Sequence, residues 1–308
     1  MKRIGTKPLP VLKGCLGLNT RIDPTRIPVN ENILATSLAE AVDVVIDSSY
    51  RVSRRKGYVA TSRTESIHSL FCDGGDCLYV DVVQEALYRL NVDYSRTGIR
   101  SGINPSARMW YAQVGEEIYY SNGFQNGRYV NATSYPWVAL PYVGPETVKT
   151  FSDPPVAEHL QLYNGRLFMS VDSTIWYTEP FAYSWVDMAR NFIPFSSRIV
   201  MIRAVVDGLY VSTDRSIYFL GGPDPQSFTV KTVAEYPAIE GTDCYVDGSL
   251  VGEGVAFKVA MWTALTGICV GLPGGDFKNT TDKRIVLPVT VTGAGGFVNG
   301  KYITTLEP

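Results

Sequence analysis

The sequence predicts an all-β chain built on a repeated four-stranded unit, and three observations carry that prediction. A tight-turn signal recurs at Asp73-Gly74, Asn164-Gly165, Asp207-Gly208 and Asn299-Gly300, at intervals of 91, 43 and 92 residues. Short runs of aromatic and branched residues flank each turn. The chain of 308 residues is 45% hydrophobic and 12% aromatic, is punctuated by 28 Gly and 18 Pro, and shows little sustained helical periodicity. Asn-Gly and Asp-Gly tolerate the positive φ that two-residue hairpins need to match strand twist, so the turns are physical signals rather than coincidences of composition.

The intervals are close to two, one and two units of about 45 residues, the length of one propeller blade. Weaker turns at Gly115-Glu116-Glu117 and Gly252-Glu253-Gly254 fill the vacant slots, giving six marks at 73, 116, 164, 207, 253 and 299. The sequence therefore predicts a six-bladed β-propeller, with five blades if one mark is only a loop. A β-sandwich of unrelated hairpins is the alternative, since it also spaces turns regularly.

Taken in order, residues 1–40 read as an extended N-terminal arm and 41–308 as the propeller. Lys7-Pro8-Leu9-Pro10, Asp23-Pro24 and Ile27-Pro28 interrupt any regular element in the arm. Ile33 to Val45, preceded by Asn32 as a cap, is the best helical candidate, with an apolar stripe at Leu34, Leu38 and Ala41-Val42. It reads equally as a short helix leading into a strand. Leu78-Tyr79-Val80 with Ala86-Leu87-Tyr88, and Ile118-Tyr119-Tyr120, read as strands. The clearest repeat is Leu160 to Tyr163, Arg166 to Val171 and Ile175 to Thr178, answered by Ala204-Val205-Val206, Leu209 to Ser212 and Ser216 to Leu220. Gly293-Ala294-Gly295-Gly296 reads as a flexible turn before the last strand, Lys301 to Leu306. That last blade lacks strands, and Asp43 to Ile46 with Val52 to Val59 can supply them, closing the ring through a blade shared by the two ends.

Charge and motifs narrow the function. A net charge of −2 and a pI near 5.8 argue against a site-wide attraction to nucleic acid, so DNA contact is local or transient. No apolar run reaches the ~18 residues that span a bilayer, and Met1-Lys2-Arg3 is not followed by a signal-peptide core. Five cysteines, Cys15, Cys72, Cys77, Cys244 and Cys269, make a disulfide framework a poor reading. Cys72 and Cys77 flank one hairpin loop and read as two reduced thiols, with a cross-strand bond or a metal as alternatives.

The sequence assigns no catalytic, cofactor-binding or metal-ligating residue. His68 and His159 each lie just upstream of a repeat turn and read as blade-packing residues. The Ser-x-Asp-x-Gly-x-x-Trp box of sialidases is absent, Ser212-Thr213-Asp214-Arg215 being the nearest approach. There is no phosphate loop, dinucleotide fingerprint or nucleophile elbow.

Several segments carry a resemblance. Gly17-Leu18-Asn19-Thr20-Arg21, then Leu38 to Asp47, then Arg54-Arg55-Lys56-Gly57-Tyr58 resemble the opening of a family of tailed-bacteriophage virion proteins, with Asp43 where that family has asparagine. Leu162 to Phe168 with Ile175 to Pro180 resembles its Asn-Gly-Arg blade segment, and Trp262 to Gly271 with Gly274 to Thr281 its late blade. The family comprises propeller proteins of the nozzle or stopper region of phage tails. The resemblance implies a non-enzymatic virion protein, made in the host bacterial cytoplasm and assembled as a cyclic ring of its own copies around the DNA exit path. Its implied partners are portal, adaptor or other tail proteins, with DNA only transiently in the channel and no cofactor. A receptor- or glycan-binding propeller at the tail tip, and a glycan-cleaving depolymerase, are the alternatives. Arg21, Arg26, Arg54, Arg55 and Lys56 are the candidate interface residues, and the basic cluster at 54–56 reads as a solvated or subunit-facing turn rather than a DNA clamp.

Overall fold

The computed structural model describes residues 14–32, 34–47, 49–57, 66–73, 75–141, 149–251, 256–281 and 284–307. It divides into two compact units. Residues 1–60, 266–268 and 279–288 form one, and the remainder forms the other. The marks at Gly74 and Gly252 to Gly254, the prolines at 8 and 10, Ile33, and Tyr58-Val59 lie outside the described residues.

The first unit begins with β1 (Gly14–Leu18), β2 (Val29–Asn30) and β3 (Ala35–Leu38), which form a sheet in the order β1-β3-β2 with β1 and β3 parallel. Then β4 (Val44–Ile46) pairs antiparallel with β5 (Val52–Arg54). Thr20 ties this segment to the 284–286 stretch, donating its N–H to the Arg284 carbonyl at 2.8 Å and accepting from the Val286 N–H at its hydroxyl at 2.9 Å. The boundary read at residue 40 therefore falls inside an ordered unit. The helix read over 33–45 is not formed by its described residues, which give β3 and the start of β4 instead. Leu34 and Asp43 stand at φ of 50° and 52°, and a left-handed residue at each end of the stretch interrupts a right-handed helix whatever the spacing of its apolar residues.

The second unit is a series of antiparallel sheets, each a meander in chain order. β6 (Ile67–Asp73), β7 (Asp76–Asp81), β8 (Ala86–Leu90) and β9 (Arg96–Ser101) make the first. β10 (Trp110–Val114), β11 (Glu117–Ser121), β12 (Asn126–Val130) and β13 (Thr133–Tyr135) make the second. β14 (His159–Tyr163), β15 (Arg166–Val171), β16 (Thr174–Tyr177) and β17 (Phe192–Pro194) make the third, and β18 (Ile199–Val205), β19 (Gly208–Thr213), β20 (Ile217–Gly221) and β21 (Thr229–Ala234) the fourth. The fifth is β22 (Cys244–Asp247), β23 (Lys258–Ala264), β24 (Gly267–Gly271) and β25 (Phe277–Asn279). A two-stranded hairpin, β26 (Thr292–Val298) and β27 (Lys301–Glu307), follows. Every described turn mark is the turn between the first and second strand of one repeat. The period thus counted repeats correctly: among the described residues five are four-stranded sheets and the sixth is a two-stranded hairpin.

Four apolar clusters stack these blades face to face. Leu78, Val80 and Leu87 of blade 1 meet Ile118, Tyr120 and Tyr129 of blade 2. Tyr119 and Ala112 meet Leu160, Leu167 and Met169 of blade 3. Phe168, Ile175 and Tyr177 meet Leu209, Val211 and Leu220 of blade 4. Tyr210 and Phe219 meet Trp262 and Cys269 of blade 5. Because both faces of a central strand are covered, β19 is buried along its whole length and reads as an apolar run rather than an alternation.

The expected closure by a blade shared between the two ends is not the pairing found. Among the described residues β4 pairs with β5 and β27 with β26, each as a two-stranded sheet. The short hairpin satisfies itself: Asp47 accepts from the Ser49 and Arg51 N–H groups, and Asp43 accepts from the Arg55 guanidinium at 2.7 Å. Gly293 to Gly296, read as a turn, are instead part of β26. A side chain at Gly295 would lie 1.9 Å from the Thr242 carbonyl oxygen, so glycine lets this strand run against the 240–242 backbone, which accepts the Gly293 N–H at Glu240 and the Gly295 N–H at Gly241. Cys72 and Cys77 are directly opposite in the β6–β7 ladder and form a disulfide, which corrects the reading of two reduced thiols; Cys15 and Cys244 are free. A non-hydrogen-bonded antiparallel pair brings Cα atoms within ~4.5 Å, close enough to bridge without moving the chain.

Candidate functional site: a clamped charge network and two clefts

The first strands of blades 2, 3 and 4 lie side by side, and with the residues just before them and the 240–245 segment they carry a network of charged side chains. Arg198 donates from Nε to Glu158 Oε2 at 3.1 Å and from both terminal nitrogens to the Glu240 carboxylate at 3.0 and 3.1 Å. Arg203 lies inside the apolar strand β18 and holds Asp243 through Nε at 2.8 Å and through a second bond from Nη2. Its guanidinium carbon also sits 4.9 Å from the centre of the Tyr245 ring. Burial disfavours the Arg203 charge, yet the Asp243 carboxylate outweighs it and raises the pKa above the ordinary value.

His159 is 1% exposed. Its Nδ1 is 2.7 Å from the Ser170 hydroxyl, and its ring lies 4.4 Å from that of Trp110. Burial pushes its pKa down to about 4 against the opposing pull of Glu240 and Asp243, so the ring is neutral at pH 7. The 3.6 Å approach of Nε2 to Glu240 Oε1 is then not an ion pair, and Nε2 has no hydrogen-bond partner. His68 has both nitrogens engaged, with the Ser69 hydroxyl at 2.7 Å and the Pro105 carbonyl at 2.9 Å. Chemically this network is a set of clamps. Each of its carboxylates is held by a guanidinium, and the one buried histidine is sealed from solvent, so no general acid or base is presented to a substrate.

Sequence reasoning missed these residues, although a signal existed. Each ion pair spans one blade repeat, with 40 residues between Glu158 and Arg198, 42 between Arg198 and Glu240, and 40 between Arg203 and Asp243. Charges one period apart meet on or just before adjacent first strands. A lone Arg203 between Ile202 and Ala204 is the visible half of such a pair.

The turn residues that sequence reasoning did single out line a cleft of about 1040 Å³ at the turn ends of blades 3 to 5. There Asn164 donates its amide to the Pro223 carbonyl at 2.7 Å, and Asp207 accepts the Gly274 N–H at 2.7 Å. Tyr163 donates its hydroxyl to the Gly222 carbonyl at 2.7 Å, and Lys231 its ammonium to the Gly275 carbonyl at 3.1 Å. A residue selected for its turn conformation therefore also clips its blade to the next. A second cleft, of about 430 Å³, lies between blades 2 and 3.

The five candidate interface residues are all exposed and all in the first unit. Arg21 and Arg26 flank a short 3-10 turn, Pro24–Arg26, capped by the Asp23 side chain. Arg54, Arg55 and Lys56 follow one another at the end of β5, with Arg55 paired to Asp43. Among the described residues no group of three or more His, Cys, Asp or Glu side chains is arranged to hold a metal ion, and no helix is long and apolar enough to cross a membrane.

No family model and no curated protein sequence matches the chain. Solved structures do. A streptogramin B lyase is 12% identical, with 85% of this chain covering 83% of that one at a TM-score of 0.51. A catalytically inactive virginiamycin B lyase from Staphylococcus aureus, solved with quinupristin, is 10% identical over 91% and 90% of the two chains, with a TM-score of 0.47. The WD40 domain of Neurospora crassa Pan2 is 12% identical over 66% and 60%, with a TM-score of 0.41. At such identities the likeness speaks to architecture alone, and the architecture it shares with the repeated four-stranded sheets described above is that of a β-propeller.

Proposed function

We propose that the chain is a structural component of a bacteriophage tail, built into a ring of its own copies around the DNA exit path. The observation that carries this reading is the division of labour between the two units. The segments that resemble phage virion proteins at Gly17 to Arg21 and Arg54 to Gly57 fold into a unit of their own, which displays Arg21, Arg26, Arg54, Arg55 and Lys56 on its surface. The propeller, by contrast, uses Arg198 and Arg203 in ion pairs between neighbouring blades, which suits a rigid building block. His159, buried and neutral, packs inside the propeller rather than facing solvent, which fits the same structural reading.

Exposed pairs are worth ~1 kcal/mol or less each, so an interface built on these residues depends on several acting together. Changing all five to glutamate is expected to abolish ring formation and incorporation into particles while leaving circular dichroism and thermal unfolding of the propeller unchanged. Electron microscopy of particles assembled with the variant reads the result. Normal incorporation removes the first unit as the assembly surface.

A further inference from the structure

The smaller cleft carries chemistry that the assembly reading does not use. Its floor is the ladder pair Tyr119–Arg128 of β11 and β12. The Tyr119 hydroxyl donates to Glu117 Oε2 at 2.8 Å, and the Arg128 guanidinium lies 3.5 Å from the same oxygen. That leaves Glu117 Oε1 open to a further donor. Arg128 Nε is buried and has no hydrogen-bond partner, while the side chain as a whole keeps 30% of its surface exposed and can meet a ligand oxygen there.

The walls are aromatic and fixed. Trp185 stacks on Phe151 at 5.0 Å and donates its indole N–H to the Leu140 carbonyl at 3.0 Å. Tyr183 accepts at its carbonyl from the Trp137 indole at 2.9 Å, and Tyr119 meets the Trp137 ring edge-on at 5.0 Å. Phe181, at the rim, is 78% exposed and held at φ +56° by donating its N–H to the Gly165 carbonyl at 2.7 Å. The left-handed backbone there costs ~1 to 3 kcal/mol, and the ring lies against Gly165, where an added Cβ would come within 2.7 Å of it, with most of its surface left to solvent.

We infer that this cleft binds one or two pyranose units of a neutral oligosaccharide. A sugar ring has an apolar C–H face that lies on an aromatic ring and a rim of hydroxyls that both donate and accept, matching Trp185, Tyr183 and Phe181 on one side and the Glu117–Arg128 pair on the other. The pair sums to no net charge, so a neutral ligand fits better than an acidic one. A peptide adding as a strand has no edge to use, because β11 and β12 are each paired on both sides. A purely apolar ligand would desolvate the Glu117–Arg128 pair without giving either side chain a further hydrogen bond. Among the described lining residues Glu117 is the sole carboxylate, and the proposal is one of binding, since glycoside cleavage takes two carboxylates across the bond. This inference does not depend on a place in the virion.

The test uses the full chain and a panel of cellobiose, maltose, lactose and chitobiose, with glucuronic-acid disaccharides and indole as controls, read by saturation-transfer NMR and titration calorimetry. At least one neutral disaccharide is expected to bind at millimolar concentration, with its C–H face receiving the saturation transfer. Phe181→Ala, at an exposed position where folding is not at stake, and Arg128→Gln are each expected to weaken that binding roughly ten-fold or more. Failure of every neutral disaccharide to bind, binding unchanged in both variants, or binding confined to the acidic sugars or to indole overturns the proposal.

Discussion

Blade 4 and the terminal hairpin are made of similar strands and end up in opposite situations. β19 is paired on both edges and covered on both faces, and Leu209, Tyr210 and Val211 are fully buried. β27 is paired, among the described residues, on one edge only, and its residues alternate exposed and half-buried along its length, with Ile303 at 45%. Its partner β26 is anchored by main-chain contact through Gly293 and Gly295 rather than by an apolar cluster. Tyr302 adds a hydroxyl bond to the Thr242 carbonyl at 2.6 Å. The lesson is that a repeat in sequence is not a repeat in stability. A blade's strength comes from neighbours on both faces, which the sixth repeat has only in part.

The largest effects should separate these two regions. Trp262 is fully buried between Tyr210 at 5.4 Å and Phe277 at 5.9 Å, so Trp262→Ala is expected to cost about 3–5 kcal/mol, while Ile303→Ala costs well under ~1 kcal/mol. Urea titration checks both as a shift in midpoint at constant slope. Comparable losses at the two sites would show that the terminal hairpin is as tightly built as the rest.

Ion pairs sharpen the same contrast. Asp243→Ala strands the Arg203 charge in the core and is expected to cost about 3–5 kcal/mol. Asp43→Ala removes the exposed pair to Arg55 and should cost less than ~1 kcal/mol. Thermal unfolding of the two variants under one buffer compares them directly.

Acidity probes the blade interior through His159. Its imidazole titrates near its ordinary value of 6.5 when the chain is unfolded and at about 4 when folded, so between those values the unfolded state binds the extra proton. Stability therefore rises with pH through that window and is lost as pH falls from 6.5 toward 4, by about 3 kcal/mol. His159→Gln is expected to flatten this part of the stability profile, measured by denaturant midpoints across the range.

A smaller and more local effect is expected at Gly295→Ala. The added methyl meets the Thr242 backbone, which cannot rotate away, and overpacking of this kind costs about 1–3 kcal/mol. Hydrogen exchange should report it as lost protection in β26 and β27, with β19 unaffected.

How much of this was legible depends on range. The turn at Asn164 was readable because positive φ at a hairpin, 42° at Asn164 and 71° at Gly165, is decided by two residues; the turn at Asp207 was found at the right place although neither Asp207 nor Gly208 adopts positive φ. Their second role, clipping to Pro223 and Gly274, was not readable, because those partners lie 59 and 67 residues away. The closure pairing is not confirmed among the described residues, for the same reason. A strand's appetite for an edge is visible in sequence, but which edge it takes is settled by competing contacts such as Asp47 within the β4–β5 hairpin. Gly293 to Gly296 misled because glycine marks both turns and close backbone approach, and only the position of Thr242 distinguishes them. Of the smaller cleft, Tyr119 was readable as a strand residue, whereas Arg128 and Phe181 acquire meaning only when blades 2 and 3 stand side by side.

The account turns on whether the chain assembles as a ring at a phage tail. Cryo-electron microscopy of tailed virions mixed with the purified full chain, compared with the variant carrying glutamate at the five basic positions, tests this most directly. The account predicts rotationally symmetric density at the tail into which the five-blade unit fits, with the first unit at the contacts between copies, and its loss in the variant. A chain that remains monomeric and adds no density to the tail contradicts it.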